Sequence, residues 1–358
     1  MEEKVVDLYL RENRLRTLLM AQIQDMFDPS THTLVVGRPR SGKTTVLLYL
    51  AAMFYGKGET VVWKDIGEFF EWLSLIEEIP ILAFVPMGCK IHYQHPNFEQ
   101  AEFHPKNLFQ LFDSFNPKKI NVVVADMFFR DIKASVKFWS KFFHQLLEYR
   151  RQPSKGKQPL CLIIDEFSDL SPGKGRLFIS EQLPLSNFIG YNLRKFRRFN
   201  VRLIASTHAL REIHPPVRER FDCYLFKACF PNPNEVPPCL TNYVKLLPKL
   251  PKDECIFVDQ RHAFSQIRTP MFVEPKRFYD VDVEGRADQL VTLEKEEEEA
   301  EEKMWKERTL KLIAYLIENK LLTSKEIAQI LNLDSSTVRW FKLTYTKLED
   351  GETADAIG

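Results

Sequence analysis

TLVVGRPRSGKTT, residues 33–45, decides how the rest of the chain is read. Thr33 to Val36 form a short apolar strand pattern, and the glycine-bounded turn after it fits the spacing G-x-x-x-x-G-K-[ST] at Gly37, Gly42, Lys43 and Thr44. That spacing suits a loop whose backbone N–H groups wrap phosphate oxygens, with glycine wherever a side chain would block the approach or φ is positive. Gly37, Arg38, Pro39, Arg40, Ser41, Gly42, Lys43, Thr44 and Thr45 are therefore the candidate phosphate cradle. Lys43 is expected to reach the terminal phosphates, and Thr44 to offer its hydroxyl to Mg²⁺. Thr44 to Tyr55 continue as a helix stopped by Gly56 and Gly58, so the positive end of a helix would point at the phosphates. A chance glycine turn needs neither the strand before it nor the helix after it.

Downstream, LIIDEF at 162–167 closes a buried strand pattern on two carboxylates. Asp165 is the expected metal-holding acid, and Glu166 the group that polarises the attacking water; an unpartnered acid pair at a buried strand end would be costly. VRLIASTHAL, 201–210, is a further strand ending in Ser206, Thr207 and His208. In the P-loop class with an extra strand between the two motif strands, a polar residue at that end touches the terminal phosphate or the water, so Thr207 and His208 are catalytic candidates. Strand patterns at 33–36, 60–63, 81–85, 120–125, 160–164, 201–206 and 222–228 alternate with helical patterns at 44–55, 67–78, 133–149 and 187–198. The expected fold is α/β, a P-loop NTPase of the RecA/ASCE type, with a mostly parallel sheet and helices on both faces. Residues 86–119 read as an irregular insertion, and ECIFVD, 254–259, as an edge strand.

Composition narrows the class. The 358 residues carry 50 Lys+Arg against 49 Asp+Glu, so any contact with a polyanion must come from local patches. Six scattered cysteines include no CxxC pair and read as reduced, intracellular usage. No stretch is long and apolar enough for a membrane span and no signal core opens the chain, so a cytoplasmic, soluble protein is expected. Cys89, His92, His95 and His104 fit no familiar zinc spacing and read as an ordinary polar loop rather than a structural metal site.

The domain expectation is an N-terminal amphipathic helix within 1–30, a P-loop ATPase domain at 31–275, an acidic helical linker at 276–304 containing EKEEEEAEEK, a small all-α unit at 305–348, and a disordered tail at 349–358. The 305–348 unit reads as a helix followed by a helix-turn-helix or winged helix, with Thr323 and Glu326 as a capping box. Its third helix carries Ser335, Ser336, Thr337, Arg339 and Lys342, residues that could enter a major groove. A protein-interaction cap is the competing reading, because the helix has few basic residues.

The block RRFNVRLIASTHALREIHPPVRERFDCYLFKA, 197–228, resembles the HerA/FtsK superfamily of DNA-pumping ATPases. There a basic helix leads into a strand ending in a Thr-Gln pair, followed by an apolar-Pro loop, an arginine near a subunit boundary and another strand. Asp65 and the stretch from Lys249 to Pro270 also fit, and the likeness covers roughly 31–275. His208 stands where the family usually has Gln. The resemblance implies ATP as nucleotide, a hexameric homo-oligomeric ring, double-stranded DNA as partner, and an arginine given to the neighbouring subunit's site, with Arg197, Arg198, Arg218 and Arg220 as candidates. It suggests a motor for packaging, transfer or processing, working with a nuclease, transfer or capsid partner. Two other readings stay open: an ATP-controlled DNA-binding regulator or transposition adaptor, and a Zot-like assembly or secretion ATPase.

Overall fold

The computed structural model describes residues 31–66, 69–129, 131–268, 275–279 and 281–287. The chain divides into two compact units, Met1–Asp288 and Gln289–Gly358. The expected N-terminal helix, the acidic run, and the groove-reading residues Ser335, Ser336, Thr337, Arg339 and Lys342 lie outside the described residues.

Twelve strands are described. β1 (Thr33–Val36), β2 (Thr60–Lys64), β3 (Ile81–Pro86), β5 (Phe98–Phe103), β6 (Ile120–Val123), β7 (Leu160–Ile164), β8 (Val201–Thr207), β9 (Cys223–Phe226), β10 (Glu254–Val258) and β11 (Phe264–Arg268) form one sheet. Its order is β11-β10-β9-β1-β8-β7-β2-β6-β3-β5. All neighbours from β9 to β5 are parallel, whereas β10 and β11 run antiparallel. β4 (Lys90–His92) pairs separately with β12 (Asp282–Glu284). β1, β2, β7 and β8 are buried along their whole length, as expected of central strands covered on both faces.

The helices explain that burial. Helix α1 (Lys43–Gly56) is apolar nearly all round and lies under the sheet as a fully packed element. α2 (Leu108–Asp113) is a short helix whose Asn107 side chain caps the Gln110 N–H at 3.4 Å. α3 (Ile132–Arg151) and α4 (Gln182–Arg198) are amphipathic and pack against each other. α1 carries the chain from β1 towards β2, while α3 and α4 carry it in the opposite sense along the sheet. Right-handed crossovers therefore place α1 on one face and α3 with α4 on the other. The sense of connection reverses beside β1 and β8, which opens a crevice at the carboxyl ends of those strands.

Three sequence expectations are corrected. Residues 67–78 do not form an α-helix; the described part is one 3₁₀ turn, Glu71–Leu75. Phe70 just before it has φ of 48°, and the Trp72 indole donates to Asp65 Oδ1 at 2.7 Å, which holds the turn on the end of β2. The 86–119 stretch is not irregular: it supplies β4, β5 and α2. β5 hides its strand character because, as the sheet's edge, it exposes Glu99, Gln100 and Glu102. β10 is not an edge strand, since β11 covers it. Among the described residues, no helix is long and apolar enough to cross a membrane.

Candidate active site

β1 delivers the glycine loop to the crevice and the backbone pins it there. The Gly37 N–H donates to Thr207 O at 3.1 Å, and Arg38 N–H to Ala228 O at 2.8 Å. A Cβ on Gly37 would stand 2.4 Å from Ser41 Oγ and 2.7 Å from Lys227 Cβ, so the loop closes only around glycine. Gly42 has φ of 93° and caps α1, turning the chain from loop to helix. Arg38, Pro39 and Arg40 are exposed, while Ser41 and Lys43 are buried. Ser41 Oγ is buried with no hydrogen-bond partner among the described residues, as suits a hydroxyl left for a ligand in the cradle.

Opposite the loop, β7 ends on Asp165 and Glu166. Thr44 Oγ1 donates to Asp165 Oδ2 at 3.1 Å, and Ser206 Oγ at the end of β8 donates to Asp165 Oδ1. Glu166, in the left-handed region at φ 46°, turns its side chain towards Lys43. The Lys43 ammonium lies 2.8 Å from His208 Nδ1 and 3.9 Å from Glu166 Oε1. His208 Nε2 stands 3.1 Å from Glu166 Oε1. An imidazole that accepts from Lys43 at Nδ1 donates from Nε2 to Glu166, so His208 bridges the lysine and the acid with a donor and an acceptor, the same pair a Gln amide offers. Burial works to raise the Glu166 carboxyl, but the His208 hydrogen bond and the Lys43 charge outweigh it and hold the group below its usual range. The Glu166 hydrogen bond in turn raises the His208 ring.

Not every candidate converges here. Thr207 turns its hydroxyl to Ala209 O at 3.2 Å and does not line the cavity; Ser206, one residue earlier, holds Asp165 instead. Arg197 is bound to Asp222 at 2.6 Å, and Arg198 is exposed at the end of α4. Arg218 donates to Leu210 O at 3.3 Å, and Arg220 is exposed. None of the four lines the cavity. Cys89 is buried, His92 pairs with Glu284 at 3.1 Å, and His95 and His104 accept from the backbone N–H of Asn97 and Lys106 in local turns, each at 3.1 Å.

Two residues at the cavity carry no signature in the sequence. Glu71 is a second carboxylate within reach of the Thr44 hydroxyl, and Arg277 enters from a segment 111 positions after Glu166. Only their distance in the chain hides them. The cavity they share with the loop has a volume of about 1090 Å³.

The donor set fits a nucleotide with Mg²⁺. Thr44 and Asp165 supply one hydroxyl and one carboxylate, the protein share taken by a magnesium ion whose remaining ligands are phosphate oxygens and water. Among the described residues, no three His, Cys, Asp or Glu side chains form a metal cage.

The fold, the glycine loop and the paired acids define a P-loop NTPase with a strand inserted between its two motif strands. No family model and no curated protein matches the chain. Among solved structures it is similar to the genome packaging NTPase B204 from Sulfolobus turreted icosahedral virus 2 in complex with ATP-gammaS. The identity is 17% and the TM-score 0.42, over 68% of this chain and 99% of that one. The pCW3 conjugation coupling protein TcpA with ATPgS is 12% identical with a TM-score of 0.40, over 74% of this chain and 65% of the other. The bacterial conjugative coupling protein TrwBdeltaN70 is 11% identical with a TM-score of 0.44, over 70% and 87%.

Proposed function

We propose that this chain is an ATP-hydrolysing motor of the HerA/FtsK type that binds and moves double-stranded DNA, acting between the subunits of a hexameric ring. The observation that carries the hydrolytic half is the convergence of Lys43, Thr44, Asp165, Glu166 and His208 in one cavity. Lys43 exchanges its His208 contact for the terminal phosphates of ATP. Thr44 and Asp165 hold Mg²⁺, which neutralises charge on those phosphates when bound. Glu166, kept ionised by His208 and Lys43, orients the attacking water and accepts its proton. Arg197, Arg198, Arg218 and Arg220 do not line their own cavity, and their proposed place is at the site of a neighbouring subunit, where an arginine stabilises the transferring phosphoryl group.

The DNA half rests on the 197–228 block and on the helix-turn-helix pattern with Ser335, Ser336, Thr337, Arg339 and Lys342. A nuclease, transfer apparatus or capsid is the proposed recipient of the moved DNA, in a cytoplasmic setting. The test is ATP turnover with and without linear duplex DNA of several lengths, run beside Glu166→Gln. Length-dependent stimulation is expected, with turnover of the variant about 10²–10⁴-fold lower while nucleotide binding is kept. Turnover unmoved by DNA removes translocation and favours the assembly ATPase; slow turnover with ATP-dependent assembly on DNA favours the regulator. Near-normal turnover by Glu166→Gln removes the assigned base.

A further inference from the structure

β11 is one edge of the ten-stranded sheet, while β12 pairs with β4, which belongs to the crossing between β3 and β5 at the other edge. The described residues 275–279 are bonded to the segment that follows β2. The Phe278 N–H donates to Phe69 O at 3.1 Å, and the Lys276 N–H to Ser74 Oγ at 2.8 Å. Between these two anchors, Arg277 lays its guanidinium over the Phe69 ring at 4.1 Å and brings Nε to 4.0 Å from Glu71 Oε1. Pro275 and Arg277 line the same cavity as Lys43, Thr44, Asp165 and Glu166.

Glu71 is an unusual companion for that site. The Thr44 hydroxyl, which donates to Asp165 Oδ2 at 3.1 Å, is also within reach of the Glu71 carboxylate, and Glu71, Asp165 and Glu166 line one cavity. Arg277 thus answers a concentration of negative charge at the metal-binding end of the loop, the end where the terminal phosphate of a nucleotide sits relative to the P-loop threonine. A guanidinium held flat on an aromatic ring keeps its fork of donors pre-aligned, and phosphate matches that fork better than a single carboxylate oxygen at 4.0 Å.

We propose that Arg277 is a substrate-binding arginine supplied by the same chain, which leaves Glu71 to take the terminal phosphate of ATP. This rests on the nucleotide reading above and adds to Lys43 a second cation that recognises the third phosphate. It also assigns the 275–279 segment to the active site rather than to a linker. The contact exists only with a triphosphate, so its signature is discrimination between ATP and ADP.

The test uses the full-length protein with Mg²⁺ and measures equilibrium binding of a non-hydrolysable ATP analogue and of ADP to wild type, Arg277→Ala and Arg277→Lys, with thermal melting as the fold control. Arg277→Ala is expected to weaken the ATP analogue by about 10–100-fold and ADP by less than about threefold, the worth of one charge-assisted contact. Arg277→Lys, which keeps charge without the fork, is expected to fall between. Equal weakening of both nucleotides, or none, overturns the assignment while leaving the nucleotide site intact. A wild-type protein that binds neither nucleotide overturns the functional reading and this inference with it.

Discussion

Substituting the loop glycines by alanine separates two physical demands that the motif spacing merges. At Gly37 the demand is space. The added Cβ meets Ser41 Oγ at 2.4 Å, Lys227 Cβ at 2.7 Å and Lys43 Cγ at 3.3 Å. Ser41 can rotate away, but Lys227 Cβ is fixed, because the Lys227 N–H is bonded to Val36 O at 2.7 Å and its ammonium to Lys252 O. At Gly42 the demand is conformation: φ is 93°, while the nearest atoms, Lys252 O at 3.3 Å and Lys227 Cε at 3.5 Å, leave almost enough room. Gly58 is the control, with φ of 78° and nothing within 4 Å.

Overpacking at Gly37 costs about 1–3 kcal/mol, and a left-handed alanine at Gly42 or Gly58 about 1–2 kcal/mol. The Gly37 loop is exposed at Arg38 to Arg40, so it relaxes outward in the free protein and the cost falls on closing around phosphate. Gly37→Ala is therefore expected to weaken nucleotide binding by about 5–150-fold with little change in melting temperature. Gly58→Ala is expected to lower stability by about 1–2 kcal/mol and leave binding unchanged, with Gly42→Ala showing both effects. Fluorescent-nucleotide titration and urea unfolding read the two quantities separately. Gly37→Ala binding within about threefold of wild type would refute the claim that close packing against Lys227 is what the loop requires.

Two further outcomes concern the frame behind the site. Arg202, wholly buried in β8, is held by Glu59 through Nε at 3.1 Å and Nη2 at 2.8 Å and stacks on Phe54 at 3.9 Å. Glu59→Gln breaks this pair and is expected to cost about 3–5 kcal/mol in urea unfolding, and a loss below about 1 kcal/mol would show that the pair is not what holds β8 to the turn between α1 and β2. His32 donates from Nε2 to Leu193 O at 2.9 Å and accepts at Nδ1 from Leu203 N at 3.0 Å, so the interior fits only its neutral ring. Burial lowers its pKa to about 4, and the unfolded chain therefore takes up the proton first. The stabilisation, about 3 kcal/mol, is complete above pH 6.5 and lost as pH falls towards 4. His32→Leu should unfold with a shallower pH dependence over that window, and an unchanged slope would contradict the assignment.

What the sequence made legible was local chemistry. Gly37, Gly42 and Lys43 are read from spacing within one loop, and Asp165 with Glu166 from two acids closing an apolar run, since burying such a pair needs a purpose. The parallel sheet followed from alternating periods, and its insertion of β8 between β1 and β7 from the polar end of VRLIASTHAL. Long-range placement was not legible. Glu71 sat in what looked like helical spacing, and only the Trp72–Asp65 bond shows that the segment is folded back as a 3₁₀ turn over the site. Arg277 belongs to a run that composition separates from the core, yet backbone bonds to Phe69 and Ser74 return it. β5 was missed because an edge strand that exposes acids has no apolar alternation to detect.

The charge pattern of the cavity connects these parts. Arg40, Lys43, Arg176, Lys252 and Arg277 line it with five positive charges against five carboxylates, so the cleft carries no large net field of its own. Three of its cations are committed within the protein: Lys43 to His208 and Glu166, Arg176 to Glu212 at 3.0 Å, and Arg277 to Glu71. A bare triphosphate would have to take these partners while standing against Glu71, Asp165 and Glu166, and it brings several negative charges to a wall that already bears three. On the proposed reading, a divalent cation bound with the nucleotide would ease that conflict, because it would meet the same carboxylates that would repel the phosphates, and Lys43 and Arg277 would be free to turn to the substrate. The expected outcome is that the magnesium complex binds more tightly than free nucleotide, a preference set by the pairing of charges before any water is activated.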